Sequence, residues 1–135
     1  MTVHSEISIE IEQDRDIVRA RHTGRELAAS LGFSNTDQTL LATAISEVAR
    51  NIVSYAGRGA IILSKIEEQG RQGILITARD EGPGIDNPEL ATRDGYSTRN
   101  GLGVGLPGAK RLVDEFDLTS APGIGTTVTL KKWLP

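Results

Sequence analysis

Glu47 and Asn51 stand four residues apart in a segment whose apolar residues recur at helical spacing, so their side chains leave one stripe of a helix together with Leu40 and Ala44. A carboxylate and a carboxamide placed in this way supply a base for a hydroxyl or a water and a hard oxygen ligand for magnesium. The same pair is also what an ordinary solvated helix face carries, so its meaning depends on the rest of the chain.

A second group follows a strand. In Ile74 to Asp80 the two-residue period puts Asp80 on the face of Ile74, Ile76 and Ala78, at the mouth of the core, where a carboxylate needs a donor. Next to it, Gly82 and Gly84 in Asp80-Glu81-Gly82-Pro83-Gly84 leave backbone accessible to a flat ligand, and Asp80 can accept from an exocyclic amine. Adenine meets that description; a Pro-Gly turn in which Asp80 caps its own backbone is the plain alternative.

A third group, Gly101-Leu102-Gly103-Val104-Gly105-Leu106, leads into a helical segment, so unobstructed amides and a helix start are offered to phosphates. Gly103, Gly105 and Gly108 also spell the dinucleotide fingerprint, but polar Asp94 to Asn100 stands where that motif needs a strand. A P-loop is absent, because no glycine run ends in Lys-Ser or Lys-Thr. Finally, Thr126 shares a strand face with Val128 and Leu130, which turns its hydroxyl inward beside any adenine pocket; threonine is equally an ordinary strand residue.

The elements that must position these groups follow from periodicity. Ile7, Ile9 and Ile11 alternate with polar residues as a first strand. Asp14 or Asp16 caps a helix that turns Ile17, Val18, Leu27, Ala28 and Leu31 to the core and ends at Gly32. Ser34 to Asp37 cap a second helix with the stripe Leu41, Ile45, Val48, Ile52 and Tyr55, stopped by Gly57. Ala60 to Glu67 and Gly73 to Asp80 read as a hairpin, Leu106 to Phe116 as a helix opened by Pro107, and two strands flank the Pro122 to Gly125 turn. Between them, 81–105 is too long and glycine-rich for an idle connection. Strands and helices do not alternate regularly. The expected fold is therefore an α/β (α+β) two-layer sandwich, with a mixed, mostly antiparallel sheet and helices on one face.

Composition narrows the function classes. At 135 residues the chain suffices for one domain, expected to span 1–135. A formal net charge of -3 lacks the positive field that holds a nucleic-acid backbone, so no nucleic-acid partner is expected. The absence of cysteine excludes disulfides and thiolate chemistry. No stretch reads as a signal peptide or a membrane span, so a cytoplasmic protein without membrane contact is expected. His4 and His22 have no dimerisation helix pair around them, and Arg15, Arg19, Arg21 and Arg25 read as a solvated face of the first helix.

Taken in order, Glu47 and Asn51, then Asp80, Gly82 and Gly84, then Gly101, Gly103 and Gly105, then Gly125 and Thr126, the chain resembles the GHKL ATPase/kinase superfamily. Within it the chain is similar to the short partner-switching serine/threonine kinases of the stressosome, on Ala44-Ile45-Ser46-Glu47-Val48-Ala49-Arg50-Asn51-Ile52, Asp94-Gly95-Tyr96-Ser97-Thr98, the segment from Gly105 to Phe116 and the Lys132-Trp133-Leu134 ending. The resemblance implies the Bergerat fold, ATP and Mg2+ as cofactors, and an ATP lid around 94–105. It implies that Glu47 is the catalytic base, that Asn51 ligates magnesium, that Asp80 binds the adenine amine and that Thr126 supports it through water. Gly82, Gly84, Gly101, Leu102, Gly103, Val104 and Gly105 would shape the nucleotide pocket, with Ser97, Thr98 and Arg99 as lid contacts. The implied activity is phosphorylation of STAS-domain stressosome proteins, followed by a switch to activating a PP2C-type phosphatase in a general stress response. An anti-sigma factor kinase that binds a sigma factor, and a nucleotide-gated binding module without transfer, are the alternatives.

Overall fold

Five β-forming runs pair into one sheet, and two long helices cover one of its faces. The computed structural model describes residues 1–82 and 105–135. The strands are β1 (Thr2–Ile11), β2 (Gly59–Glu68), β3 (Arg71–Asp80), β4 (Glu115–Ala121) and β5 (Gly125–Trp133), in the spatial order β1-β2-β3-β5-β4. Every pairing among the described residues is antiparallel. The helices are α1 (Asp14–Leu31), α2 (Asn35–Tyr55) and α3 (Gly105–Arg111). None of them is long and apolar enough to cross a membrane.

The register explains the core. Ile9, Ile61 and Ala78 lie in one row across β1, β2 and β3, and Leu63, Ile76 and Leu130 in another across β2, β3 and β5. These residues are buried in one cluster with Leu41, Ile45, Val48 and Ile52 of α2 and Ile17, Ala20, Leu27 and Ala28 of α1. Each large aliphatic side chain removed from water in this way contributes about 1.5–3 kcal/mol, which is what clamps α2 to the sheet. The β2–β3 hairpin turns through Gln69 and Gly70, both at positive φ, the mirror-image turn whose twist matches the strands.

Three expectations change. The buried face of β1 is shorter than the alternation implies: Ile9 and Ile11 are buried but Ile7 is 39% exposed. Among the described residues β1 is an edge strand with a neighbour on one side only, and a bulge at Ser5 shifts its register between His4 and Glu6. Val18 lies outside the core, because the buried stripe of α1 runs Ile17, Ala20, Gly24, Leu27 and Ala28, and one step of about 100° carries Val18 off it. The third helix stops at Arg111 rather than Phe116. Asp114 draws the chain into the sheet: its amide donates to Lys131 O at 2.9 Å, and its carboxylate accepts from Trp133 N at 2.8 Å. Phe116 then belongs to β4.

The ends at Ser34 and Gly32 are closed as the sequence indicates, whereas α1 is capped from Gln13, with Asp16 in its first turn, rather than by Asp14 or Asp16 itself. Ser34 Oγ accepts from Asp37 N at 3.1 Å at the start of α2, and Gly32 (φ 95) ends α1 in the left-handed conformation. At the start of α1, Asp16 Oδ2 accepts from the amides of Glu12 at 2.9 Å and Gln13 at 3.2 Å. The Glu12 hydrogen bond is the main reason the Asp16 carboxyl is held below the ordinary carboxylate range, although burial opposes it. A depressed folded pKa stabilises the protein above the unfolded value of about 3.9 and ceases to do so as pH falls through the folded one. Asp16→Asn is therefore expected to lower the melting temperature by a few degrees at neutral pH. The gap to wild type should close below about pH 4, as read by thermal melts across a pH series.

Candidate functional site

Four elements converge at one end of the sheet, at the C-terminal end of β3. α2 runs over this region, and its buried stripe continues beyond the aliphatic residues into Ala44 and Glu47, with Asn51 half-buried one turn on. Glu47 is only 8% exposed, and its Oε1 accepts from Arg50 Nη1 at 2.8 Å. A buried carboxylate without a partner would be costly, so this ion pair is part of what permits a charged side chain under the helix. Arg50 was not singled out in the sequence, although its i, i+3 offset from Glu47 puts the two within reach.

The end of α2 closes on the end of β3. Gly59 packs where a Cβ would lie 2.9 Å from Ile52 Cγ2 and 3.1 Å from Asp80 Cβ. At Gly82 a Cβ would lie 2.6 Å from Ala56 Cβ and 2.8 Å from Ala56 Cα. The reason for glycine at 82 is thus visible as packing against α2. Gly82→Ala is expected to destabilise the protein by about 1–3 kcal/mol, because backbone at the end of α2 must move. Since it shifts the loop that hydrogen-bonds Asp80, it should also reduce the thermal stabilisation given by ATP, both effects being read in melts with and without nucleotide.

Asp80 closes β3 on the helix-covered face and is 9% exposed. Its Oδ1 accepts from Gly82 N at 2.9 Å, and no donor among the described residues is recorded for its Oδ2. Directly across β5 stands Thr126, 5% exposed. Directly across β4 from Thr126 stands Ser120, whose Oγ lies 2.9 Å from Thr126 Oγ1 and donates to Gly125 O at 2.9 Å. Gly125 (φ 131) admits no side chain, because a Cβ there would collide with the backbone oxygen of Asp80. Asp80, Thr126 and Ser120 therefore form one polar row across β3, β5 and β4. Ser120 was missed in the sequence, yet its position follows from counting outward from the Pro122–Ile124 turn, which pairs Ala121 with Gly125 and Ser120 with Thr126.

The glycine-rich run ends in α3. Leu106, Pro107, Gly108 and Ala109 are buried, and Leu106 and Ala109 join the core cluster that holds α2. Gly105 is the first residue of α3, whereas Gly84, Gly101, Leu102, Gly103, Val104 and the lid expected around 94–105 lie outside the described residues, Gly105 excepted.

No cluster of three or more His, Asp or Glu side chains able to hold a metal occurs among the described residues. Asn51 beside Glu47 offers the sparse oxygen set that suits magnesium carried by a nucleotide, which keeps its phosphate and water ligands, rather than a protein cage. A cleft of about 570 Å³ lies at the same end of the sheet, among Ser8, Glu10, Arg58, Ile62, Arg79 and Glu81. Ser8, Glu10, Ile62 and Arg79 belong to the sheet face away from the helices, Ala56 and Asp80 also line the cleft, and neither Glu47, Asn51 nor Thr126 does. It therefore meets the polar row at Asp80 alone.

Residues 36–135 match the family described as histidine kinase-, DNA gyrase B-, and HSP90-like ATPase. The serine/threonine-protein kinase RsbT of Bacillus subtilis is 49% identical over 126 residues, covering 93% of this chain and 95% of that protein. The anti-sigma F factor of Halalkalibacterium halodurans is 34% identical over 122 residues, covering 85% of this chain and 82% of that one. Among solved structures, the RsbU and RsbW domains of Rv1364c from Mycobacterium tuberculosis align with a TM-score of 0.64 at 22% identity, over 97% of this chain and a third (33%) of that one. The SiaB-SiaC complex from Pseudomonas aeruginosa aligns with a TM-score of 0.55 at 13% identity, over 98% of this chain and 91% of that one. At these identities the two structures bear on the fold.

Proposed function

The chain belongs to the histidine kinase-, DNA gyrase B- and HSP90-like ATPase family, and from that premise we propose that it is an ATP-dependent protein serine/threonine kinase of a partner-switching stress response. The observation that carries this reading is a near-full-length relationship to a serine/threonine kinase in a chain whose buried acid, Glu47, lies on the helix above the Asp80–Thr126 row. The anti-sigma reading fits less well, since the relative so named is 34% identical against 49%.

In this reading ATP enters with its adenine at Asp80. The exocyclic amine donates to Asp80, whose geometry is fixed by the Gly82 amide, and Thr126 accepts from the base or from a water beside it. The phosphates extend toward α2 and the glycine-rich run, with 94–105 as the lid and Gly84, Gly101, Leu102, Gly103, Val104 and Gly105 shaping the pocket. Asn51 would hold Mg2+, which when bound neutralises phosphate charge. A serine or threonine hydroxyl of the partner attacks the γ-phosphorus. The new O–P bond forms as the bond to the β–γ bridging oxygen breaks, ADP leaves with that electron pair, and Glu47 takes the hydroxyl proton. Arg50 holds one oxygen of Glu47 and so orients the carboxylate.

The substrates we propose are STAS-domain proteins of a stressosome, with release of the kinase to a PP2C-type phosphatase as the signalling step. The 49% identity to the serine/threonine-protein kinase RsbT over nearly the whole chain supports this. The test is transfer of labelled phosphate from Mg·ATP to a STAS-domain protein of the same genome. Labelled phosphoserine or phosphothreonine on the partner supports the reading. Tight ATP binding with no transfer to any such partner replaces it with a nucleotide-gated binding module.

A further inference from the structure

Two hydroxyls and a carbonyl lie in line beside Asp80, and their proton directions are fixed by what each atom can do. Gly125 O can only accept, so the 2.9 Å contact from Ser120 Oγ uses the one proton that Ser120 owns. The 2.9 Å contact between Ser120 Oγ and Thr126 Oγ1 must then take its proton from Thr126. Thr126 Oγ1 has no second proton to present. Toward the site it is an acceptor, next to a carboxylate that also accepts. The carbonyl that starts this chain is itself immobile, because Gly125 sits in a backbone conformation (φ 131) pressed against the backbone of Asp80.

We infer that Ser120 is a positioning residue for nucleotide selection: by consuming the Thr126 proton it makes the Asp80–Thr126 wall accept hydrogen bonds only, which favours a purine bearing a 6-amino donor over one bearing a 6-oxo acceptor. This rests on the reading of Asp80 and Thr126 as the adenine-binding pair. Ser120 touches neither the base nor the phosphates; it acts through Thr126. Without its hydroxyl, the Thr126 proton is released to turn into the site, where it can serve a 6-oxo group.

The experiment is binding of ATP and of inosine triphosphate, each with Mg2+, to the full chain by calorimetry, together with transfer kinetics at saturating ATP. In Ser120→Ala the ATP-to-ITP affinity ratio should fall about ten-fold, and the transfer kinetics at saturating ATP separate this change in binding from any change in the chemical step. Ser120→Thr, which restores a hydroxyl, should recover the wild-type ratio. A purely structural tie in the β4–β5 hairpin would instead lower the melting temperature and leave the ratio where it was, and that result overturns the inference. Should Ser120→Ala fail to fold, Ser120→Cys serves: a weak sulfur acceptor should lower the ratio, and a full wild-type ratio in that variant is equally fatal. Wild-type protein that fails to distinguish ATP from ITP would overturn the underlying adenine reading. Discrimination that survives in Ser120→Ala while Asp80→Asn loses ATP would overturn the role of Ser120 alone.

Discussion

Glu47→Gln should bind Mg·ATP with wild-type affinity and transfer phosphate roughly 10²–10⁴-fold more slowly, the span that a positioned general base contributes. Glutamine has the shape of glutamate, and its carbonyl oxygen can keep the hydrogen bond from Arg50 Nη1 that the wild-type carboxylate receives at 2.8 Å. The substitution therefore removes basicity while preserving the packing of a side chain that is only 8% exposed. Glu47→Ala is the poorer probe, because it strands the Arg50 guanidinium beside a cavity, and a loss of transfer would then mix chemistry with structure. The groups proposed to hold adenine stand on β3 and β5, a separate element from α2, which is why affinity is expected to survive. Single-turnover transfer and equilibrium binding separate the two effects. Transfer within ten-fold of wild type would remove Glu47 from the chemistry, and a parallel collapse of ATP affinity would make it a binding residue.

How far such a site is legible in sequence depends on whether its members share an element. Glu47 and Asn51 share a helix, so their i, i+4 spacing alone puts them on one stripe, and the structure has them on one. The inward face of Asp80 follows from the two-residue period of β3, and that of Thr126 from β5. What neither period contains is which strands are neighbours. The β5 strand inserts between β3 and β4, so the row Asp80, Thr126, Ser120 exists only once the strand order is known. The pairing of Ser120 with Thr126 is local to one hairpin, but its place in a row with Asp80 depends on that order. The glycines show the reverse limit. Gly82 reads in sequence as backbone left open to a ligand, and the structure adds a packing reason for glycine there, since a Cβ would meet Ala56; sequence alone does not contain that neighbour. The extent of α3 was misjudged because Leu112, Val113 and Phe116 suit a helix as well as a strand, and the bonds of Asp114 to Lys131 and Trp133 that decide the matter are long-range.

The second large effect is expected at Asp80. In Asp80→Asn the retained amide oxygen can still accept from Gly82 N, the bond measured at 2.9 Å, and the register with Gly59 and Thr126 involves only backbone, so the fold should be kept. The other oxygen becomes an NH2 group. Where the adenine amine is proposed to donate to a carboxylate, it now meets a second donor. A charge-assisted hydrogen bond is lost, and a desolvated donor is left facing another. Together these cost roughly 3–5 kcal/mol, or a hundred- to thousand-fold in ATP affinity. The new amide can instead donate to a 6-oxo purine, so the variant should favour inosine triphosphate over ATP, a reversal that generic damage to the site would not produce. Melting temperature reads both parts in one experiment: without nucleotide the variant should melt within a few degrees of wild type, and saturating Mg·ATP should raise the wild type but not the variant. Wild-type stabilisation of the variant by ATP would remove Asp80 from base recognition and leave it as the cap of its own strand, accepting from Gly82 and nothing else.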